Sequence, residues 1–182
     1  PLTTGQTFGC DCWAGHSSSN QAMAADPVNT ATGALMEKFA DVSIAAPGQP
    51  IDLSRTYNSL DTVSGPFGPG WSFSYGASLA TNTSGELVFT DGSGTRTRFG
   101  AIVGGGYAPI DPAVSASLSD GPNGSHVMRN LSGHTMTFDA TGALIAVADE
   151  RGQGLTLAYT AGTLTTVTDA LGQTLTFGWT GT

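Results

Sequence analysis

Residues 142–159 read GALIAVADERGQGLTLAY and residues 162–179 read GTLTTVTDALGQTLTFGW, one sentence written twice at an offset of twenty. Gly142, Leu144, Val147, Asp149, Gly152, Leu155, Leu157 and Tyr159 recur as Gly162, Leu164, Val167, Asp169, Gly172, Leu175, Phe177 and Trp179. A fixed period of this size marks a unit too small to bury its apolar face alone, which stacks on its neighbours to build a continuous core. In the second copy Leu175, Phe177 and Trp179 alternate with Thr174, Thr176 and Gly178, a strand period with the apolar set on one face. Leu164 to Val167 forms a shorter run, and Asp169-Ala170-Leu171-Gly172 supplies the reversal between them. An aspartate opening a turn accepts hydrogen bonds from its own downstream backbone, and a glycine three residues later accepts positive φ. Asp149 and Asp169 therefore have a local structural role available to them. Calcium ligation is the sharper reading, but the dense acidic and glycine alternation of calcium-binding β-rolls is missing.

Weaker echoes carry the pattern upstream. Met136, Phe138, Asp139 and Gly142 read as the second strand and turn of an earlier, degraded unit. Gly85, Leu87, Phe89, Asp91 and Gly94 lead into Thr95, Thr97 and Phe99, a hairpin closed by Asp91-Gly92-Ser93-Gly94. No stretch of helical period follows residue 45. The expected fold class is all-β: antiparallel short strands and hairpins leading into β-repeats.

The 182 residues suit one domain, or a domain with repeats attached. Charged residues make up 11%, far below the quarter or so usual in globular proteins. Three Trp, eight Phe and four Tyr still supply a core, and 26 Gly with frequent Thr suit strands joined by tight turns. Six basic residues, Lys38 the single lysine, are scattered through a chain of net charge −8. A phosphate backbone needs clustered cations, so no nucleic-acid partner is expected. No apolar run approaches the roughly eighteen residues of a membrane span, and no export signal is recognisable. Opening on Pro1 and ending just after a complete repeat, the chain is expected to be a piece of a longer protein.

Cys10-Asp11-Cys12 has its sulfurs at a spacing that bridges only with strain. With His16 they make three ligands of an incomplete zinc site; reduced thiols, or bonds to partners outside the chain, are the plainer reading. The Gly-, Ser- and Thr-rich surroundings make residues 1–25 a flexible or docked lead-in.

Asp26-Pro27-Val28-Asn29-Thr30-Ala31-Thr32-Gly33 opens the ordered part, with turn-forming residues just before a strand over Leu35 to Ile44. After Pro47-Gly48-Gln49-Pro50, a second strand places Ile51, Leu53, Arg55 and Tyr57 on one face. Gly65-Pro66-Phe67-Gly68-Pro69-Gly70 then launches an alternation of Trp71, Phe73, Tyr75, Ala77 and Leu79, which predicts one long strand. Together Asp-Pro-Val-Asn-Thr-Ala-Thr-Gly, Arg-Thr-Tyr-Asn-Ser and Gly-Pro-Phe-Gly-Pro-Gly-Trp, in this order, resemble the opening domain of the Rhs, or YD-repeat, family. The resemblance covers about residues 26–180 and implies an opening β-domain over 26–132 followed by YD-type repeats over 133–182. It implies further a β-sheet shell, which in bacterial members commonly encloses a C-terminal toxin, and a secreted or cell-surface setting. The chain departs from the family in several places. Two repeats cannot close a shell, and no toxin domain or aspartyl self-cleavage element is recognisable; Asp26-Pro27 and Asp111-Pro112 stand alone. The repeat tyrosine is kept at Tyr159 but is Trp179 in the second copy.

No catalytic constellation is visible. His16, His126 and His134 lie in no nucleophile motif, Gly104-Gly105-Gly106 has no lysine beside it, and Glu37, Glu86 and Glu150 are far apart in sequence. The expectation is a non-catalytic structural module without cofactor or metal, partnered by further repeats of a longer chain or by copies of itself; an enclosed toxin domain is a further partner that the family resemblance allows. The alternative is a secreted carbohydrate-binding adhesin module using exposed aromatics. The residues expected to carry the structural role are Trp71, Phe73, Tyr75, Gly142, Leu144, Asp149, Gly152, Leu157, Tyr159, Gly162, Leu164, Asp169, Gly172, Phe177 and Trp179. Leu155 joins them as buried or sheet-packing surface. The final strand, Thr174 to Trp179, is expected to leave its apolar face and its edge open. Asn82-Thr83-Ser84, Asn123-Gly124-Ser125 and Asn130-Leu131-Ser132 match the glycosylation acceptor pattern, which a Ser- and Thr-rich chain also produces by chance.

Overall fold

A computed structural model describes residues 33–180 and the backbone of Met23–Ala24 and Val28–Asn29. Among the described residues there is no α-helix; a single 3-10 turn, Pro122–Gly124, interrupts the strands. The first seven strands are β1 (Met23–Ala24), β2 (Val28–Asn29), β3 (Ala34–Ile44), β4 (Ile51–Asn58), β5 (Ser64–Gly65), β6 (Gly68–Pro69) and β7 (Trp71–Phe73). They make an antiparallel sheet in the order β1-β2-β3-β4-β7, with β5 and β6 as a separate ribbon. The rest are β8 (Ser78–Thr81), β9 (Leu87–Thr90), β10 (Arg96–Ala101), β11 (Tyr107–Pro109), β12 (Ala116–Asp120), β13 (His126–Asn130), β14 (Thr135–Phe138), β15 (Leu144–Ala148), β16 (Gly154–Thr160), β17 (Thr163–Thr168) and β18 (Thr174–Thr176). These eleven form one antiparallel meander, each strand paired with its sequence neighbour and the repeats continuous with the strands before them. The architecture is all-β, as the alternation and turn chemistry require.

One turn design joins many of these strands. The Oδ1 atoms of Asp91, Asp139, Asp149 and Asp169 each accept the backbone N–H groups two and four residues downstream, at 2.8–3.0 Å. The glycine three residues on takes a positive φ in each. The local role read for Asp149 and Asp169 is thus the observed one, and the hairpin predicted at Asp91–Gly94 joins β9 to β10.

The predicted long strand from Trp71 to Leu79 is broken. β7 stops at Phe73, the chain turns through Ser74 and Tyr75, and β8 starts at Ser78 in the other sheet. Ser74 is pinned at this corner, its N–H donating to the Ser54 carbonyl and its Oγ accepting the Ser54 N–H. Gly76 follows where a Cβ would lie 2.8 Å from the Phe73 ring. Phe73, Tyr75, Ala77 and Leu79 nevertheless all stay buried, because one core wraps both sides of the corner. The alternation reported burial and missed the bend.

That core is a single cluster. Ile51, Phe73, Tyr75, Ala77 and Leu79 meet the inward side chains of the large sheet, among them Phe89, Phe99, Met128, Phe138, Leu144, Leu155, Leu157, Leu164 and Val167. The large sheet curls until β8 touches the turn between β14 and β15: the Leu79 N–H donates to the Gly142 carbonyl at 2.9 Å, and Ser78 bridges Ala143. Two bulges shape the repeats. Phe138 pairs with Leu144 and Thr137 with Ala146, leaving Ile145 extra; Tyr159 pairs with Leu164 and Ala158 with Thr166, leaving Thr165 extra. Each bulge turns two aliphatic residues three apart, Leu144 with Val147 and Leu164 with Val167, onto the same buried face.

Candidate functional site

The side chains that define the repeat converge on two equivalent latches. Tyr159 donates its hydroxyl to the Leu144 carbonyl at 2.8 Å, and Trp179 donates its indole N–H to the Leu164 carbonyl at 2.6 Å. Each bond spans the place where a ladder stops, since the β15–β16 pairing ends at Ala146–Thr156 and the β17–β18 pairing at Thr166–Thr176. An aromatic side chain with a polar tip suits this task, filling the gap with its ring and satisfying a carbonyl with its tip. Burial, with the Asp139 carboxylate as a second cause, pushes the Tyr159 hydroxyl up to about 12. For Asp139 burial opposes the charge, but the Thr141 hydroxyl and the N–H groups of Ala143, Thr141 and Gly142 outweigh it and hold the carboxyl below its ordinary range.

Around the second latch the two sheets meet in an aromatic seam. Trp179 packs edge-on against Phe67 and Phe73, Phe177 lies against Tyr75, and Phe177 and Trp179 are nearly parallel with centroids 5.9 Å apart. The last strand therefore differs from expectation. It spans Thr174–Thr176, and its apolar residues are half-buried: Phe67, Phe73 and Tyr75 cover Phe177 and Trp179, and Leu175 packs against the core. Its edge is a different matter: no strand among the described residues pairs with the outer side of β18.

Of the remaining predicted residues, Leu144, Leu155, Leu157 and Leu164 are buried in the core and Asp149 and Asp169 build turns. Gly142 is buried where a Cβ would collide with the Leu79 carbonyl, whereas Gly152, Gly162 and Gly172 have open space around them. Trp71 is half-buried outside the core cluster, between Phe39 and Tyr57, with the Arg55 guanidinium over its ring at 5.3 Å. Its faces are occupied by these neighbours. Cys10, Cys12, His16 and the Asp26-Pro27 pair lie outside the described residues.

Three features escaped the sequence reading. Arg55 makes a bidentate pair with Asp41 at 2.8 Å and reaches over Phe67 as well as Trp71. The hydrogen bond from Arg55 is the chief reason the Asp41 carboxyl lies below its ordinary range, against the opposing effect of burial. Phe67, at the tip between β5 and β6, joins the seam. Asn82 and Asn130 are turn residues of the aspartate design. Asn82 accepts the Ser84 and Glu86 N–H groups, and the buried Asn130 accepts the His134 N–H. The signal was present as Asn-x-x-Gly, at Asn82–Gly85 and Asn130–Gly133, the spacing of Asp149–Gly152. Among the described residues no group of three His, Cys, Asp or Glu side chains is placed to hold a metal, and no helix is long and apolar enough to cross a membrane.

Residues 25–99, which contain the corner and much of the seam, match a family described as a domain of unknown function (DUF6531). Over 82 residues the chain is 38% identical to the tRNA3(Ser)-specific nuclease WapA of Bacillus spizizenii. It is 37% identical over 82 residues to the tRNA nuclease WapA of Bacillus subtilis strain 168. Each match covers 45% of this chain and 4% of the relative, so the chain is similar to one small stretch of a much longer bacterial protein.

Proposed function

We propose that this chain is a non-catalytic structural module of an Rhs/YD-repeat protein, an opening domain and first repeats that build part of a β-sheet shell. The setting is a bacterial polymorphic toxin or cell-surface protein, secreted or displayed. The observation that carries the reading is the pair of latches, Tyr159 to Leu144 and Trp179 to Leu164, which repeat one piece of construction at a twenty-residue step. Asymmetry of the sheet supports it. At one end β8 is bonded to the 139–143 turn, and at the other no strand among the described residues pairs with the outer side of β18, an edge of the kind at which repeat units stack. Further repeats of a longer chain, or copies of this one, are the partners at that edge, and a toxin domain is what the completed shell encloses.

The named activity of the relatives supplies the rival, that this segment itself cleaves tRNA. Scattered basic residues in a chain of net charge −8 argue against it. The purified chain incubated with total tRNA is expected to leave it intact with and without divalent cations. Cleavage abolished by a single His or carboxylate substitution that leaves the fold unchanged would overturn the proposal.

A further inference from the structure

We propose that the segment Phe8–Trp13 of this same chain docks on an apolar end of the opening sheet, its two aromatic rings covering Leu35, Phe39, Leu60 and Val63. The docking is independent of the shell reading and gives a cover to a surface that the repeats leave open.

Nine large apolar side chains are exposed among the described residues, and four of them, Leu35, Phe39, Leu60 and Val63, belong to the opening strands and their connections. The other five sit on or beside turns spread along the large sheet. Backbone bonds gather the four. The Ser59 N–H donates to the Leu35 carbonyl at 3.0 Å and the Leu35 N–H to Ser59 Oγ at 2.9 Å, which sets Leu60 beside the start of β3. The Gly70 N–H donates to the Val63 carbonyl at 3.2 Å, which sets Val63 beside Trp71, and the Trp71 ring lies 5.7 Å from that of Phe39. Leu35 and Phe39, four apart on one strand, face the same side. Single exposed apolar residues need no explanation, but a cluster around a half-buried tryptophan marks a surface that something covers.

Connectivity selects the chain's own beginning. β2 pairs with β3 at Leu35 itself, Val28 standing opposite, and β1 pairs with β2. The chain ahead of Met23 therefore leaves the sheet two strands from Leu35, roughly 10 Å away. The residues between Trp13 and Met23 reach about 30 Å when extended, so the segment can return to the patch. Residues 1–22 hold one charged residue among Asp, Glu, Lys and Arg, Asp11, and Phe8 and Trp13 are their only Phe, Tyr or Trp residues. A tethered segment acts at an effective concentration of about millimolar, roughly a thousandfold above a second copy at micromolar concentration, which favours it over self-association.

Photo-crosslinking in the whole chain tests this, with p-benzoylphenylalanine replacing Phe39, Leu60 or, as a control on the large sheet, Ile110. An equal mixture of isotope-labelled and unlabelled protein separates crosslinks within a chain from those between copies. Positions 39 and 60 are expected to join residues 7–14 of the same chain at least about fivefold more than position 110 does. Phe8→Ser combined with Trp13→Ser should lower the yield at 39 and 60 by about fivefold. A yield that matches the control, or that survives loss of both rings, would show mere tethering and overturn the docking. Crosslinks between labelled and unlabelled chains would give the patch to a second copy, and no crosslink to residues 1–22 would leave the segment elsewhere; either result overturns the proposal.

Discussion

Trp179 holds the Leu164 carbonyl with its indole N–H at 2.6 Å, the bond that Tyr159 makes to Leu144 with a hydroxyl at 2.8 Å. Two different aromatic residues at one repeat position are thus equivalent in the property that counts there, a ring bearing a donor. Phenylalanine keeps the ring and loses the donor. Tyr159→Phe is therefore expected to lower unfolding free energy by about 1–2 kcal/mol in denaturant titrations, the usual result of leaving the carbonyl of a buried residue, here Leu144, without its partner. Tyr159→Trp should lose less.

The same bond has a pH signature. Tyr159 donates only while protonated, and its folded value, about 12, lies above the ordinary 10.0. A group whose value rises on folding contributes its stability fully below the unfolded value and loses it as pH climbs through the folded one. The stability gap between the native chain and Tyr159→Phe should accordingly be constant up to about pH 10 and shrink between about 10 and 12. Denaturant titrations of both proteins across that window read it directly. A gap that stays constant to pH 12 would show that the hydroxyl contributes nothing pH-dependent.

Gly142 and Gly162 occupy the same repeat position and should respond differently to the same substitution. Both have positive φ, +84° and +79°, so alanine is strained at either. Around Gly162 nothing lies within 4 Å, and Gly162→Ala should lose only the roughly 1–2 kcal/mol of a left-handed alanine. At Gly142 a Cβ would run into the Leu79 carbonyl, where the turn closes onto β8. Gly142→Ala should be the more destabilising by at least about 2 kcal/mol, because it breaks that closure as well. Equal losses in denaturant titrations would mean that the contact between β8 and the turn is dispensable.

These pairs show which parts of the fold are local and hence legible in the sequence. The repeat, the aspartate turns and the all-β class depend on periods and on residues within five positions of each other. The bulges at Ile145 and Thr165 were written as a three-residue spacing of aliphatics inside strands and went unread. The corner at Ser74–Tyr75 was hidden because the core continues around it, so burial alternates through the bend. The cover over Phe177 and Trp179 had no local sign, since Phe67 and Trp179 meet only once the opening strands have folded back onto the repeats.

Arg55 separates charge from packing. Its pair with Asp41 is partly exposed, and such pairs contribute at most about 1 kcal/mol, so Asp41→Asn should have a small effect. Because the Asp41 value lies below 3.8 in the folded chain, that effect is present above pH 3.8 and fades as pH falls further. Arg55→Ala also removes the guanidinium from the Phe67 and Trp71 rings, and should cost about 1 kcal/mol more than Asp41→Asn, at low pH as well as at neutral pH. Identical losses from the two substitutions in thermal melts would show that the ring contacts contribute nothing.

Asn82 and Asn130 test whether the acceptor pattern or the turn explains an asparagine. In the shared design Oδ1 accepts downstream backbone N–H groups, which an aspartate does equally well at 91, 139, 149 and 169. Asn82 does one thing more, its Nδ2 donating to Glu86 Oε2 at 2.8 Å. Asn82→Asp keeps the turn acceptor but sets a second carboxylate beside Glu86, and should lose about 0.5–1 kcal/mol, while Asn82→Ala should lose about 1–2 kcal/mol, the usual range for a lost capping acceptor. Asn130 is only 8% exposed, so a glycan there would have to displace the turn between β13 and β14. Produced in a glycosylating host and analysed by mass spectrometry, the folded chain is expected to carry no sugar at Asn130. Asn123 is exposed at the tip between β12 and β13, and of the three acceptor matches it is the one whose side chain has no role in the Asn-x-x-Gly turns. Occupancy at Asn130 in folded material would show that this turn opens in the native state and that its buried amide is not what holds it.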